Sequence, residues 1–366
     1  MRSSADSSGL TIGSCRVRIV DVPLNFPLGT SAATVSKVPL VLLDLEMEEG
    51  VTGRAYVFGY TPAGAASIAG TTTEAVDLAR GALALPLQLQ QRLGRRYALL
   101  GVTGTVRMAL SLLDMAMWDA QGRAAGLPVA RLLGGTPGPV AAYDSRGLGL
   151  ATPSELGRQA ERLLELELGA IKLRLGYPTL AEDLAAVEVV RSITDRPLMV
   201  DYNQALSLAE ARARGRALEE KAVYWLEEPI RHDDHSGAAA LASELDMPIQ
   251  IGENFNGSEA MLQAVQANAC DLAMPDISRI GGVTGWLQAA GVAAAAGIPV
   301  STHLMPEMSA HALAASATAH WLEYVDWADA ILREPMEIRD GRAIVADRPG
   351  FGIEWDEKRI SALSGT

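Results

Sequence analysis

An α/β barrel preceded by an α+β domain is the fold class that this 366-residue sequence predicts. Three observations carry that expectation. First, from Ala170 to Glu323 charged and polar residues recur at the ends of short apolar runs: Lys172 and Arg174, Asp201 and Asn203, Glu227 and Glu228, Glu253, Asp276, His303, Glu323. Second, Asp201 to Glu227 and Glu227 to Glu253 are steps of 26 residues each, followed by steps of 23, 27 and 20. Each step is the length of one strand, one loop and one helix. Third, strand-like runs precede helical ones before Pro139, whereas the two alternate strictly after it, which separates an α+β region from a barrel.

The totals fit that division. The length exceeds what one ordinary domain holds. Hydrophobic residues make up 49% and charged residues 20%, enough for a large core under a polar surface. A net charge of −13 and a pI near 4.9 argue against nucleic acid and anionic membrane as partners. An anionic substrate must then be drawn by local positive charge, from a metal or from Lys and Arg inside the site. Two cysteines, Cys15 and Cys270, are too few for a disulfide scaffold. The opening MRSSADSSGL has no apolar signal core, so a cytoplasmic location is the default expectation.

Taken in order, CRVRIVDV (15–22) alternates like a strand, and VPLVLLDLEM with EEGVTGRAYVFGY reads as a hairpin. Between them, FPLGTSAATVSK is rich in small residues and reads as a loop. Helices are expected over roughly 73–93 and 103–126, the second with Leu110, Leu113, Met117 and Ala120 at helical spacing. Eight strands are then expected near 139–145, 169–175, 197–203, 223–227, 249–253, 271–275, 298–303 and 320–325. No long helix is expected after the last strand, and 331–354 reads as a short β-like tail that turns at Gly341 and Gly350.

The strand ends carry the chemistry. Asp201, Glu227 and Glu253 each end an apolar run (LMVD, VYWLE, IQIGE), and three carboxylates converging on one pocket repel unless a cation sits among them. Oxygen-only ligands suit a hard cation such as Mg2+. The bland alternative, three unrelated loop acids, leaves their regular phase unexplained. Lys172 and Arg174 stand two apart in AIKLRLG and share a strand face, where cations need anions to meet. An ion pair with the metal carboxylates is the alternative to a catalytic role. Asp276 ends LAMPD and His303 ends PVSTH, and a carboxylate on an imidazole makes it a stronger base. Glu323, in HWLEYVD, is a hydrogen-bond donor if its neighbours Trp321 and Tyr324 keep it apolar and protonated. The loop RHDDHSG, His311, His320 and the GLGL run are read as structural.

The chain resembles the mandelate racemase subgroup of the enolase superfamily. The likeness runs through IKLRLGYP, MVDYNQ, WLEEP, GENFNG, AMPDISRIGGVTGW, STHLMPEMSAHALAA and HWLEYVD, and covers nearly the whole sequence. It implies a modified TIM barrel, (β/α)7β, with an N-terminal α+β capping domain. The expected division is 1–135 for the capping domain, with a mobile loop at about 23–37 over the site, 136–330 for the barrel, and 331–366 for a segment returning to the cap. It implies Mg2+ on Asp201, Glu227 and Glu253, a small carboxylate substrate whose carboxylate end meets Lys172, Asn203 and Ser145, and an apolar wall of Leu28, Ala32, Val35 and Tyr60. By the same resemblance His303 with Asp276 takes an α-proton on one face, and Glu323 hydrogen-bonds the developing enediolate. A homo-oligomer, with the octamer as one form, is implied as well.

One departure stands out. Where the subgroup carries a second lysine as the opposite-face base, this chain has Arg174. Guanidinium groups stay protonated and make poor bases near neutral pH. A racemase acting on a mandelate-like 2-hydroxycarboxylate is the leading expectation. Dehydration of an acid sugar by the His303–Asp276 dyad alone is the alternative, and a non-catalytic metal- and carboxylate-binding homologue is the third reading. The apolar cap favours the first, and Arg174 the second.

Overall fold

A computed structural model describes residues 9–30 and 34–364. Its first sheet is antiparallel: β1 (Ile12–Gly29) pairs with β2 (Thr34–Met47), and β2 with β3 (Thr52–Phe58). The segment at about 23–37, expected as a loop, is mostly strand in this hairpin, with Leu28 opposite Val35. Its side chains alternate: Val22, Phe26 and Leu28 are buried while Asp21, Pro23, Asn25 and Pro27 face outward. Small and proline-rich composition hides that period of two. The register slips between Pro23 and Leu28, where prolines lack the N–H that a continuous ladder needs. Ala32 lies outside the described residues.

Three helices pack on this sheet and on the barrel. The single helix expected over 73–93 is two, α1 (Pro62–Ala79) and α2 (Pro86–Arg96). Each starts on a proline, which costs nothing at a first turn whose N–H is unpaired anyway, and Gly81 turns the chain between them at φ 74°. The helix expected over 103–126 is α3 (Gly104–Ala125), closed by Gly126 in the left-handed conformation. It is buried on nearly every face because it lies between the sheet and the barrel: Asp114 accepts from the amide (3.0 Å) and hydroxyl (2.5 Å) of Thr284. A short α4 (Val129–Leu132) leads into the barrel.

The barrel runs β4 (Pro139–Asp144), α5 (Pro153–Leu163), β5 (Ala170–Arg174), α6 (Leu180–Arg191), β6 (Leu198–Asp201), α7 (Leu208–Glu219), β7 (Trp225–Glu227), α8 (His235–Glu244), β8 (Ile249–Ile251), α9 (Ser258–Gln266) and β9 (Leu272–Ala273). Then follow α10 (Ile277–Ile280), α11 (Gly282–Ala296), α12 (Pro306–Ala314) and β10 (Leu322–Tyr324). Neighbouring strands from β4 to β9 are parallel, and β10 closes the ring on β4. The strand expected at 298–303 is present only as single bridges, Ala273 to Val300, Val300 to Ala319 and Asp276 to His303. Pro299 breaks the ladder there by having no N–H, yet the segment fills the seventh place. Capping boxes at Thr179–Glu182 and Ser207–Glu210 start α6 and α7.

The tail holds β11 (Ile338–Arg339) and β12 (Arg342–Ile344), the latter antiparallel on β4, and ends in α13 (Glu357–Ser364), a helix the sequence reading did not include. It reaches the first sheet: Glu354 pairs with Arg54 and Arg123, and the Trp355 indole donates to Asp44.

Candidate active site

Strand ends place the chemistry. Lys172 and Arg174 are on β5, Asp201 ends β6, Glu227 ends β7, and Glu253 follows β8 by two residues. The turn into Glu253 needs Gly252, whose φ of 142° and closeness to the Met274 amide leave no room for a side chain. Oxygens of Asp201, Glu227 and Glu253 lie within 4.8 Å of one another.

Partners fix each carboxylate. Asn203 turns back through a left-handed φ of 45° so that its amide (2.7 Å) and side-chain nitrogen (2.9 Å) donate to Asp201. The Trp225 indole donates to Glu227 Oε2 at 3.1 Å. Asn254 Nδ2 donates to Glu253 Oε1 at 3.2 Å and to both oxygens of Glu228. Lys172, itself fully buried, lies 3.3 Å from Asp201, 2.8 Å from Glu227 and 2.8 Å from Glu323. Burial raises the Glu227 carboxyl even against Lys172, and burial with Glu253 beside it raises Glu228 further. One lysine does not neutralise this group. An oxygen-only donor set with unbalanced negative charge fits a hard divalent cation.

On the next side of the ring, Asp276 caps α10. Its Oδ1 accepts from the Ser278 amide (2.6 Å), the Ser278 hydroxyl (2.5 Å) and the Arg279 amide (3.2 Å), and its Oδ2 faces His303 Nδ1 at 2.7 Å. Nδ1 therefore carries the proton and Nε2 faces the pocket, 3.3 Å from Glu253 Oε2. Burial opposes the charged imidazole, but Glu253, Glu323 and the bond to Asp276 together push His303 up to about 9. A buried base next to the carboxylate cluster is what proton abstraction requires.

Two expectations change here. Glu323 is not in an apolar setting. Burial alone raises its carboxyl, but Lys172, then His303, pull it well below the usual range. Ser145 Oγ (2.7 Å) and the Leu304 amide (2.9 Å) also donate to it. Tyr324, next in the strand, points to the other side, towards Arg146. Glu323 thus sits as an acceptor among Lys172, Ser145 and the Leu304 amide rather than in an apolar setting. Arg174, sharing the inward face with Lys172, makes no ion pair with Asp201, Glu227 or Glu253 among the described residues. It donates to Ser145 O (3.4 Å), Gly147 O (3.1 Å) and Ser145 Oγ (3.0 Å). An inward arginine held by neutral acceptors was not foreseen.

The cap meets the site at two places. Gly29, next to Leu28 at the hairpin tip, accepts from the Leu150 amide at 2.9 Å, so Leu28 and Val35 sit by the 147–150 loop on the Arg174 side. Tyr60, after β3, lays its ring under the Arg279 guanidinium at 4.6 Å, on the Glu253 side. Arg279, Asn254 and Trp225 carry no strand-end signal in the sequence, and Glu228 appears there only as the second acid of a strand end. Only the runs GENFN and PDISR, whose polar residues adjoin the named acids, signalled the first two. RHDDHSG runs from an exposed turn at 231–233 into the first turn of α8, which Asp234 caps.

Comparison with known proteins agrees with this arrangement. Residues 14–134 match the family described as mandelate racemase / muconate lactonizing enzyme, N-terminal domain, and 155–359 match enolase C-terminal domain-like. The fold is that of an enolase-superfamily enzyme. The chain belongs to the mandelate racemase / muconate lactonizing enzyme family, in the mandelate racemase subgroup. It is 36% identical to L-talarate/galactarate dehydratase of Salmonella typhimurium over 71% of this chain and 66% of that enzyme. A solved enolase from an alpha-proteobacterium, with bound magnesium, is 44% identical, with a TM-score of 0.94 over 96% of this chain and 99% of that one. Another from Bradyrhizobium, complexed with magnesium and mandelic acid, is 38% identical, with a TM-score of 0.93 over 98% and 99%. Other relatives are named cycloisomerases and racemases. Among the described residues no helix is long and apolar enough to cross a membrane.

Proposed function

We propose that this protein abstracts the α-proton of a 2-hydroxycarboxylate, with Mg2+ held by Asp201, Glu227 and Glu253. The observation that carries this is the His303–Asp276 dyad, with Nε2 of His303 3.3 Å from Glu253 Oε2. When bound, the cation offsets the negative charge that builds on the substrate carboxylate. Lys172 donates to that carboxylate, held in place by Glu323, while Asn203 and Ser145 border the same end. The C–H electrons pass to the carboxylate oxygens as an enediolate, and the proton goes to His303 Nε2. Asp276 fixes the tautomer and stabilises the imidazolium. Arg174, a donor bound to two carbonyls and a hydroxyl, supplies no base on the other face.

A single base completes an elimination more readily than a racemisation. If a β-hydroxyl is present, the protonated His303 returns its proton to that oxygen as the carbon–oxygen bond breaks. Water leaves, and the enol becomes a 2-keto-3-deoxy acid. The dehydratase among the relatives supports this outcome. Racemisation of a mandelate-like acid is the second reading, favoured by the apolar Leu28–Val35 tip and by the neighbour complexed with mandelic acid.

The deciding experiment is incubation with Mg2+ in D2O of each mandelate enantiomer and of a panel of aldarates, followed by NMR and polarimetry. Deuterium entering one enantiomer without change of rotation, with keto acid from an aldarate, supports one-face elimination. Interconversion of both enantiomers supports racemisation. No exchange into any 2-hydroxycarboxylate sinks the proposal and leaves a binding protein.

A further inference from the structure

Arg279 is where the dyad, the carboxylate triad and the cap meet. Its backbone amide donates to Asp276 Oδ1 at 3.2 Å. Its Nη1 donates to the main-chain oxygen of Glu253 at 3.2 Å and to Asn254 Oδ1. Asn254 is thereby oriented with Nδ2 on Glu253 Oε1 and on Glu228. The guanidinium face that remains is covered by Tyr60 at 4.6 Å. Tyr60 is held in its turn by a left-handed φ of 62° and by stacking on Phe58 at 4.2 Å. The Arg279 side chain, though partly exposed, spends its hydrogen bonds on neutral acceptors that belong to the residue pair Glu253–Asn254.

We propose that Arg279 is a positioning residue for Glu253 and that Tyr60 is its cover, so that seating the cap and ordering a metal carboxylate are one event. The inference deepens the functional reading and rests on Glu253 as a ligand. One guanidinium nitrogen, Nη1, reaches a carbonyl and an amide oxygen together from a planar group of fixed orientation, which an ammonium on a flexible stem lacks. The Tyr60 ring, itself 38% exposed, covers one face of the guanidinium and adds cation–π attraction there. Partners that orient metal ligands set affinity by about ten- to a hundredfold.

Calorimetric titration of the full chain with Mg2+, without substrate, tests this separately from turnover. Arg279→Met is expected to weaken Mg2+ binding by about ten- to a hundredfold, and Arg279→Lys by less, since charge survives and the fixed planar group does not. Tyr60→Ala is expected to weaken Mg2+ binding several-fold and to raise KM more than it lowers kcat, whereas Tyr60→Phe keeps the ring and binds Mg2+ as the parent does. If Arg279→Met does not fold, Arg279→Lys carries the test. Parent-like Mg2+ affinity in the arginine variants overturns the inference while leaving the functional reading intact. So does a Tyr60→Phe defect matching that of Tyr60→Ala. A parent chain that binds no Mg2+ overturns both.

Discussion

The two cation-bearing sides of the pocket are built differently although both stand at barrel strand ends. On one side His303 has a carboxylate behind it at Nδ1 and turns its other ring nitrogen towards Glu253, 3.3 Å away. On the other, Arg174 is tied to Ser145 O, Gly147 O and Ser145 Oγ, a donor facing acceptors with nothing to take a proton. Strand-end position alone therefore does not define a base. What defines it is whether the group behind the side chain stabilises its protonated form reversibly.

The largest expected effect falls on the His303 side. His303→Asn is expected to lower α-proton exchange by about a hundred- to ten-thousandfold, the usual contribution of a placed general base. NMR exchange in D2O measures it, with circular dichroism as the control for folding. If Arg174→Met costs more exchange than His303→Asn, the contrast between the two sides is wrong. Removal of the metal acts on both sides at once. Chelation is expected to abolish exchange, Mg2+ to restore it, and Glu253→Gln to leave Mg2+ unable to do so at concentrations that saturate the parent.

Most of this contrast was legible in the sequence, because strand ends in a barrel recur at a fixed period and aim at one pocket. Asp201, Glu227, Glu253, Asp276 and His303 were readable for that reason. What was not legible depends on contacts between distant segments. Glu323 looked apolar beside Tyr324, yet strand alternation turns Tyr324 away and brings Lys172 from 151 residues upstream (323 − 172) to 2.8 Å. The strand at 21–28 was obscured by composition, since its prolines and the small residues after it mimic a loop while burial along it still alternates. The helix expected over 73–93 overran the start of a second one because apolar spacing continues across Gly81, and Pro86 was not read as a start signal.

Two intermediate effects sharpen the comparison. Arg174→Lys replaces a fixed donor with a group that can lose its proton, and is expected to raise exchange on the second face by about a hundredfold, the low end for a placed base. Following each mandelate enantiomer separately measures it. An unchanged ratio of the two faces would mean that geometry, not basicity, limits that side. Asp276→Asn acts in the opposite sense on the first face. His303 must be neutral to accept a proton, so activity falls as pH drops through its titration. The Asp276 carboxylate is one of the groups holding that titration up at about 9. Without it the acid limb of kcat/KM is expected to move to lower pH, while the maximal rate falls because a weaker base remains.

Ser145 touches both sides and carries the smallest expected effect. Its hydroxyl donates to Glu323 at 2.7 Å and accepts from Arg174 Nη2 at 3.0 Å. Ser145→Ala removes both bonds, but Glu323 keeps Lys172 and the Leu304 amide, and Arg174 keeps two carbonyl oxygens. A lost bond whose partners have alternatives costs about 1 kcal/mol, so kcat/KM is expected to fall by about fivefold. A loss of about a hundredfold or more would place the hydroxyl on the substrate carboxylate itself, as the family resemblance implies, rather than between the two side chains that it joins. Steady-state kinetics on the Ser145→Ala and Ser145→Thr pair separates these, because threonine keeps the hydroxyl and restores a substrate contact only if the pocket admits its methyl group.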